Sequence, residues 1–459
     1  MKTRTHRRNR VNVITLGCSK NVVDSENLIT QLRANDYDVA HDSSREAQVI
    51  IVNTCGFIDL AKQESIDTIL QYAEEKRTGR IERLYATGCL TQRYREELSA
   101  EIPEVDRWFG TMELPQMLAT LQADYRADLL GERLPSTPPH FAYLKISEGC
   151  NRTCSFCAIP LMRGKHVSRP VESLVDEARH LAARGVKELM LIAQELTYYG
   201  LDLYKRRALP ELLDALADVE GIEWIRLHYA YPAKFPLEIA DVIARRPEVC
   251  RYLDMPLQHA SDRVLAAMRR QTTRAYTETL ISELRARIPG LALRTTMLVG
   301  HPGESEEDFA ELCAFVERMR FERLGVFQYS HEEDTSAHDL VDDVPPEVKT
   351  DRADRLMAIQ REISLEKNEA LVGRRLRVLF DRLEDGMLVG RTEYDSPEVD
   401  NEVYVPAPDE DLVGRFAEVL VESASEYDLH GVLADGVDGA DREASSARSP
   451  GRKARPVLQ

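Results

Sequence analysis

The sequence predicts an α/β protein in three parts. These are an N-terminal doubly wound parallel sheet, a central partial (β/α) barrel of the TIM-like kind, and a small C-terminal antiparallel β-barrel. Three observations carry this. Between Val11 and Cys89, β-rich runs alternate with helix-spaced ones, the pattern of parallel βαβ units. Between Phe141 and Ser330 the alternation continues through six more strand candidates, and the loops after such strands share one rim. From Val372 it gives way to short strands with turn signals, as in a small barrel. The 459 residues leave room for about three domains at roughly 150 residues each.

Residues 1–10, MKTRTHRRNR, read as a basic tail. The first domain is expected over 11–133. Its strands are VNVITLGC, AQVIIVNTC and ERLYATGC, the second apolar enough to be buried on both faces. VDSENLITQLRAND and DLAKQESIDTILQYAEEKR are the helices between them, with Asp24 or Ser25 expected to cap the first. LPSTPPH, residues 134–140, is Pro-rich and reads as a linker. The central domain is expected over 141–371, with strands FAYLKIS, KELMLIAQ, EWIRLHYA, RYLDMPLQ, LALRTTMLVG and RLGVFQYS. PVESLVDEARHLAARG and SEEDFAELCAFVERMR are among its helices, and Ser305 is placed to cap the latter. The small barrel is expected over 372–434. Residues 435–459 are poor in large apolar side chains and are expected to be disordered.

Charged residues make up 30% and hydrophobic ones 43%, an ordinary globular balance. No run of 18 apolar residues exists, so no membrane span or membrane partner is expected, and the reading is a cytoplasmic protein. Eight cysteines are too sparse for a disulfide scaffold; in a reducing compartment, clustered ones bind metal or do chemistry. The formal net charge of −18 does not favour a nucleic-acid backbone and suits a basic protein partner. Residues 372–433 hold 15 Asp and Glu against 6 Arg and no Lys.

The cysteines fall in two trios. Cys18, Cys55 and Cys89 each end a predicted strand, at intervals of 37 and 34 residues. Parallel strands end on one edge, so three thiols distant in sequence converge there. Cys150, Cys154 and Cys157 are spaced Cys-x3-Cys-x2-Cys just after the first strand of the central domain. A structural zinc site closes with four ligands, yet no fourth cysteine lies nearby and His166 comes nine residues later. Three thiolates can instead hold three irons of a 4Fe-4S cube and leave the fourth open. The competing readings are buried small residues for the first trio, and a three-cysteine zinc site or chance spacing for the second. Cys250 and Cys313 have no partners at cluster spacing and are expected to be structural.

The second motif, Cys-x3-Cys-x-aromatic-Cys, resembles the signature of the radical S-adenosylmethionine superfamily. That resemblance implies that the open iron chelates S-adenosyl-L-methionine and that its reductive cleavage yields a hydrogen-abstracting radical. It also implies that Phe156 meets the adenine. Gln194 and Glu195, at a strand end on the rim, are candidates for polar contacts to the same molecule; ordinary loop capping is the alternative. Together with "TLGCSKNVVDSE", "VNTCGFIDLAKQESID" and "ATGCLTQRY", the chain resembles the methylthiotransferase family. The resemblance implies a second, auxiliary 4Fe-4S cluster on Cys18, Cys55 and Cys89, which presents sulfur. It also implies a two-stage reaction in which one S-adenosylmethionine methylates sulfur and another generates the radical.

Ser19-Lys20 stands where the tRNA-modifying members typically have Gln-Met, and "SPEVDNEVYV" also resembles the RimO-type subfamily. The implied substrate is the β-carbon of an aspartate in small-subunit ribosomal protein S-twelve, free or in the subunit. An electron donor and a sulfur source are further partners, and tRNA is not a direct substrate. The alternatives are a tRNA adenosine methylthiotransferase and, in another class, a non-catalytic iron–sulfur electron carrier. The last segment resembles a TRAM domain. Glu195 stands where Asp is common in the family, Gln271 and Asp334 where Gly is common, and His301 where an aromatic is common.

Overall fold

The computed structural model describes residues 10–129, 131–406 and 412–434; the two expected tails, apart from Arg10, lie outside the described residues. The N-terminal sheet contains β1 (Val11–Thr15), β2 (Val39–His41), β3 (Val49–Thr54), β4 (Arg83–Gly88) and β5 (Arg107–Trp108). Its order is β2-β1-β3-β4-β5 and every neighbouring pair is parallel. The three long strands are those read from the sequence. β2 and β5, of three and two residues, are too short to show a period. Along β3, Ile51 faces a core with Leu28 and Leu32, while Ile50 and Val52 face another with Ile69 and Leu98. Both faces are covered, which is why the strand reads as one apolar run.

Four helices accompany this sheet: α1 (Ser19–Ala34), α2 (Asp59–Arg77), α3 (Cys89–Glu101) and α4 (Leu114–Thr120). α1 starts earlier than expected, with Cys18 at its N-cap position and no side-chain cap. Asp24 and Ser25 lie inside it. Asp24 pairs with Lys145 and Arg163, and Ser25 accepts hydrogen bonds from Thr15 and Asn53.

The central sheet is six-stranded and follows chain order, with a short antiparallel pair, β7 (Ser147–Glu148) and β8 (Val167–Ser168), set to one side. Its strands are β6 (Phe141–Lys145), β9 (Glu188–Ile192), β10 (Trp224–Leu227), β11 (Val249–Asp254), β12 (Ala292–Val299) and β13 (Arg323–Gln328). All pairs are parallel, and helices pack on them through one large core, giving the expected partial barrel. Ser305 caps its helix as read, through a capping box with Asp308.

β14 (Arg375–Glu384), β15 (Met387–Arg391), β16 (Glu402–Pro406), β17 (Phe416–Ala424) and β18 (Asp428–Leu433) close into a barrel. The expected antiparallel pairing holds except between β16 and β18, which run parallel.

The three parts are tied together by buried polar contacts. The segment between β15 and β16 reaches the central sheet: Asp395 accepts from Arg323 at 2.8 Å, Asp400 from Tyr252 at 2.8 Å and from Arg294 at 3.2 Å. Ser396 meets His228 at 3.1 Å. The expected linker is pinned rather than loose. Ser136 donates to Glu26 at 2.8 Å and His140 meets Asp381 at 2.7 Å. No helix among the described residues is long and apolar enough to cross a membrane.

Candidate active site

Three parallel strands place the first trio. Cys18 follows β1 at the start of α1, Cys55 directly follows β3, and Cys89 directly follows β4 and opens α3. Burial, together with Cys18 and Cys89, pushes the Cys55 thiol up to about 12, so the three thiols are electrostatic neighbours. The strand ends touch: a Cβ on Gly17 would fall 2.7 Å from the Cys55 Cβ and 3.0 Å from its sulfur. Gly17 also has φ of 86°, a conformation open to glycine without strain. The convergence expected from strand direction is what the fold delivers.

The second trio occupies the loop between β7 and a short helix, α5 (Ile159–Arg163). Burial pushes Cys150 up to about 11 and Cys157 up to about 12, with Cys154 adding to both. The Arg152 amide donates to the Cys150 sulfur at 3.4 Å, and the Arg270 guanidinium donates to the Cys154 sulfur at 3.4 Å. Such donors to sulfur tune and hold iron–sulfur ligands.

The two trios are brought close. Cys89 packs against Ala158 and Met162, and Phe57 and Ile159 join the same cluster. Arg163, on the short helix that follows the second trio, is buried beside the first. It bonds Asp24 at 2.5 Å, reaches Asn21, and lies 3.4 Å from Glu148. Burial raises the Cys89 thiol, and the Arg163 charge opposes that rise.

The donor set fits iron–sulfur chemistry. Buried, raised thiols are neutral until a metal displaces their protons. Nearby guanidinium groups favour the thiolate form.

The other predicted residues are placed as follows. Phe156 is half-buried against Val264, Met268, Leu298 and Tyr329. Gln194 donates to Glu148 at 2.7 Å, and its carbonyl oxygen is buried with no partner. Glu195 caps the turn at Thr197 at 2.7 Å, and its other oxygen takes the Arg152 guanidinium at 3.1 Å. Gln194 is therefore the freer of the two to meet a ligand. Cys250 stands apart, packed with Trp224, Tyr252 and Leu379.

Sequence reasoning did not single out Arg152, stacked between Tyr198 and Tyr231 at 4.0 and 3.8 Å, or Arg163 and Arg270. The one signal available was that Arg152 lies within the second cysteine motif and Arg163 follows it closely.

Family models divide the chain in the same way. Residues 10–110 match a family described as "Uncharacterized protein family UPF0004", 144–316 the radical SAM superfamily, and 372–433 a TRAM domain. The ribosomal protein uS12 methylthiotransferase RimO of Cytophaga hutchinsonii is 56% identical over 435 residues, covering 94% of this chain and 100% of that one. The chain belongs to the RimO methylthiotransferase family. The RimO of Flavobacterium johnsoniae is likewise 56% identical over 434 residues, at 94% and 99% coverage.

The radical SAM match includes the Cys150 trio, and that superfamily implies one 4Fe-4S cluster with S-adenosylmethionine. Among solved structures, the radical S-adenosylmethionine methyltransferase TsrM of Kitasatospora setae has the same fold. Its TM-score is 0.53 at 16% identity, over 85% of this chain and 82% of that one. Two RimO-family departures acquire a physical meaning. Gln271 and Asp334, in place of common glycines, hold φ of 54° and 60°, the left-handed region where glycine is at ease.

Proposed function

We propose that this chain is a radical S-adenosylmethionine methylthiotransferase that adds a methylthio group to the β-carbon of an aspartate in small-subunit ribosomal protein S-twelve. The observation that carries the reading is near-complete alignment with RimO enzymes at 56% identity, on a chain in which Cys89 of the first trio packs against Ala158, the residue after Cys157.

In this reading Cys150, Cys154 and Cys157 hold one 4Fe-4S cluster, and Cys18, Cys55 and Cys89 hold an auxiliary one. When bound, the first cluster with S-adenosylmethionine supplies radical hydrogen abstraction, and the second supplies sulfur. The chain's own residues hold and orient. Gln194 offers its unpaired carbonyl to the amino group of S-adenosylmethionine, and Phe156 offers a ring face to the adenine. Arg163 and Arg270 offset thiolate charge at the two trios, and the packed junction keeps water from the space between them. A cytoplasmic location, an external electron donor and a sulfur source complete the reading.

Anaerobic reconstitution tests it. The chain should bind about eight irons, falling to about four when either trio is replaced by alanine. Reduced enzyme with S-adenosylmethionine should add methylthio mass to a peptide carrying the S-twelve target loop and none to tRNA. Mass gain on tRNA alone would transfer the assignment to the tRNA-modifying class. Absence of 5′-deoxyadenosine would leave an electron carrier.

A further inference from the structure

Lys20, the second residue of α1, is 7% exposed. Its ammonium lies 3.3 Å from the centre of the Tyr229 ring. Among the described residues it has neither an ion-pair partner nor a hydrogen-bond acceptor. Buried Lys349 is not left so, pairing with Asp342, nor is half-buried Lys145, which pairs with Asp24 and Glu148. A cation largely removed from water without an anion is unfavourable, and a ring face only partly offsets that.

The neighbours do not supply the missing charge. His228 is held neutral by burial and by the positive charges of Arg294, Arg226 and Lys20. Asn21 spends its amide on the carbonyls of Leu16 and Thr54, at 2.7 and 3.0 Å. Asp254 is spent on the Tyr229 amide at 3.0 Å and on Arg294 at 3.1 Å.

The location is as telling as the vacancy. Lys20 is two residues from Cys18. Tyr229 has φ of 66°, a strained conformation for an aromatic residue that persists only when its surroundings impose it. The Asp254 bond to its amide helps hold that backbone, and the ring faces the lysine. Two residues on, the Tyr231 ring lies 3.8 Å from the Arg152 guanidinium and 4.2 Å from that of Arg270, and Cys154 is among the groups acting on it. The segment after β10 therefore runs from Lys20, beside the first trio, at Tyr229 to the surroundings of the second trio at Tyr231.

We propose that Lys20 binds the side-chain carboxylate of the target aspartate. The inference rests on the aspartate reading above and deepens it. The carboxylate carbon is bonded to the β-carbon that reacts, so a grip on the carboxylate fixes the reacting carbon to within one bond. The unpaired cation explains why an acidic residue is chosen.

The test is a cycle of two enzymes and two peptides. Reconstituted wild type and Lys20→Met are compared on the S-twelve loop peptide and on its Asp-to-Asn counterpart, with kcat/KM for methylthiolation read by mass spectrometry. Each single change should cost about 100-fold, and the two together little more than one alone, because each removes the same buried pair. Lys20→Arg should recover part of the loss. Iron content reports whether each variant is assembled; if Lys20→Met loses iron, Lys20→Gln takes its place in the cycle. Multiplicative losses, or a Lys20→Met enzyme as active as wild type on the aspartate peptide, would refute the assignment. So would a wild type that turns over both peptides equally. A wild type that modifies neither peptide would instead overturn the substrate reading, and this assignment with it.

Discussion

Replacing Arg133 by methionine should destabilise the protein by about 3–5 kcal/mol, the cost of leaving a buried charge without its partner. Arg133 is 1% exposed, as are the side chains of Glu26 on α1 and Glu177 on the helix Val171–Ala182. It bonds Glu177 at 2.8 Å, and also Glu26 and the Tyr143 carbonyl on β6. It thereby joins the N-terminal sheet domain to the central one. The two carboxylates are not equivalent. Glu177 has a second cation, Arg169, at 2.6 Å, and despite burial Arg133 and Arg169 hold it below the usual carboxylate range. Among the described residues Glu26 has only Ser136 besides, whose hydroxyl donates to it at 2.8 Å. Most of the penalty should therefore reside on Glu26. Glu26→Gln in the Arg133→Met background should restore about 2 kcal/mol or more, and Glu177→Gln little, by the desolvation cost of an unpaired group. Anaerobic urea unfolding of the reconstituted protein, followed by circular dichroism, gives the midpoints. A single variant within 1 kcal/mol of wild type, or equal rescue by the two glutamines, would refute the reasoning.

Mild acid should destabilise the fold from pH 6.5 downward. Burial pushes His228 well below 6.5 and His259 down to about 3. The unfolded chain then takes up protons that the folded one refuses, so stability is full above pH 6.5 and falls as pH falls. The slope is about 1.4 kcal/mol per pH unit for each histidine, and His228→Gln should remove one proton's worth from urea midpoints measured across pH 5.5–7. Gln271→Gly, at a φ of 54°, should be stabilising by a few tenths to about 1 kcal/mol, as relief of left-handed strain outweighs glycine entropy. Gln271→Ala should not stabilise, and a lower urea midpoint for the glycine variant would contradict the strain account.

The alternation of strands and helices was legible because each long strand is buried by covering helices and reads as an apolar run. The cysteine trios were legible for a related reason: strand direction alone sends Cys18, Cys55 and Cys89 to one edge. What stayed hidden was pairing across long stretches of chain. Arg133 and Glu26 are 107 residues apart, and Asp400 and Arg294 are 106 apart. In sequence they are ordinary surface-type residues, and only the assembled domains bury them. Asp24 as a helix cap failed for the same reason: Lys145 and Arg163 of another domain claim its carboxylate. Lys20 belongs to this class too, since its isolation is a property of its neighbours in space.

The acidic balance of the C-terminal barrel has to be divided before it can be used. Of the 15 acidic residues in 372–433, Asp381, Asp395 and Asp400 are consumed inside the molecule by Arg391, Arg323 and Arg294. Glu402 is paired with Arg382. Asp395 and Asp400 secure the barrel to the central sheet, the other two pairs lie within the barrel, and all four acids cast little field outward, because each is offset at contact distance. Glu384 is exposed but already paired with Arg382 at 2.8 Å; Asp385, Glu418 and Glu422 are exposed without such a pair, and among the described residues they are the acids placed to meet a basic partner. Attraction to a ribosomal protein should then depend on the turn after β14 and on the outward side of β17 rather than on the barrel's net charge. Neutralising those three should slow association at low salt, with little effect at high salt where exposed charges are screened. Neutralising Asp400 should instead loosen the junction that orients Tyr252 and Arg294, at any ionic strength.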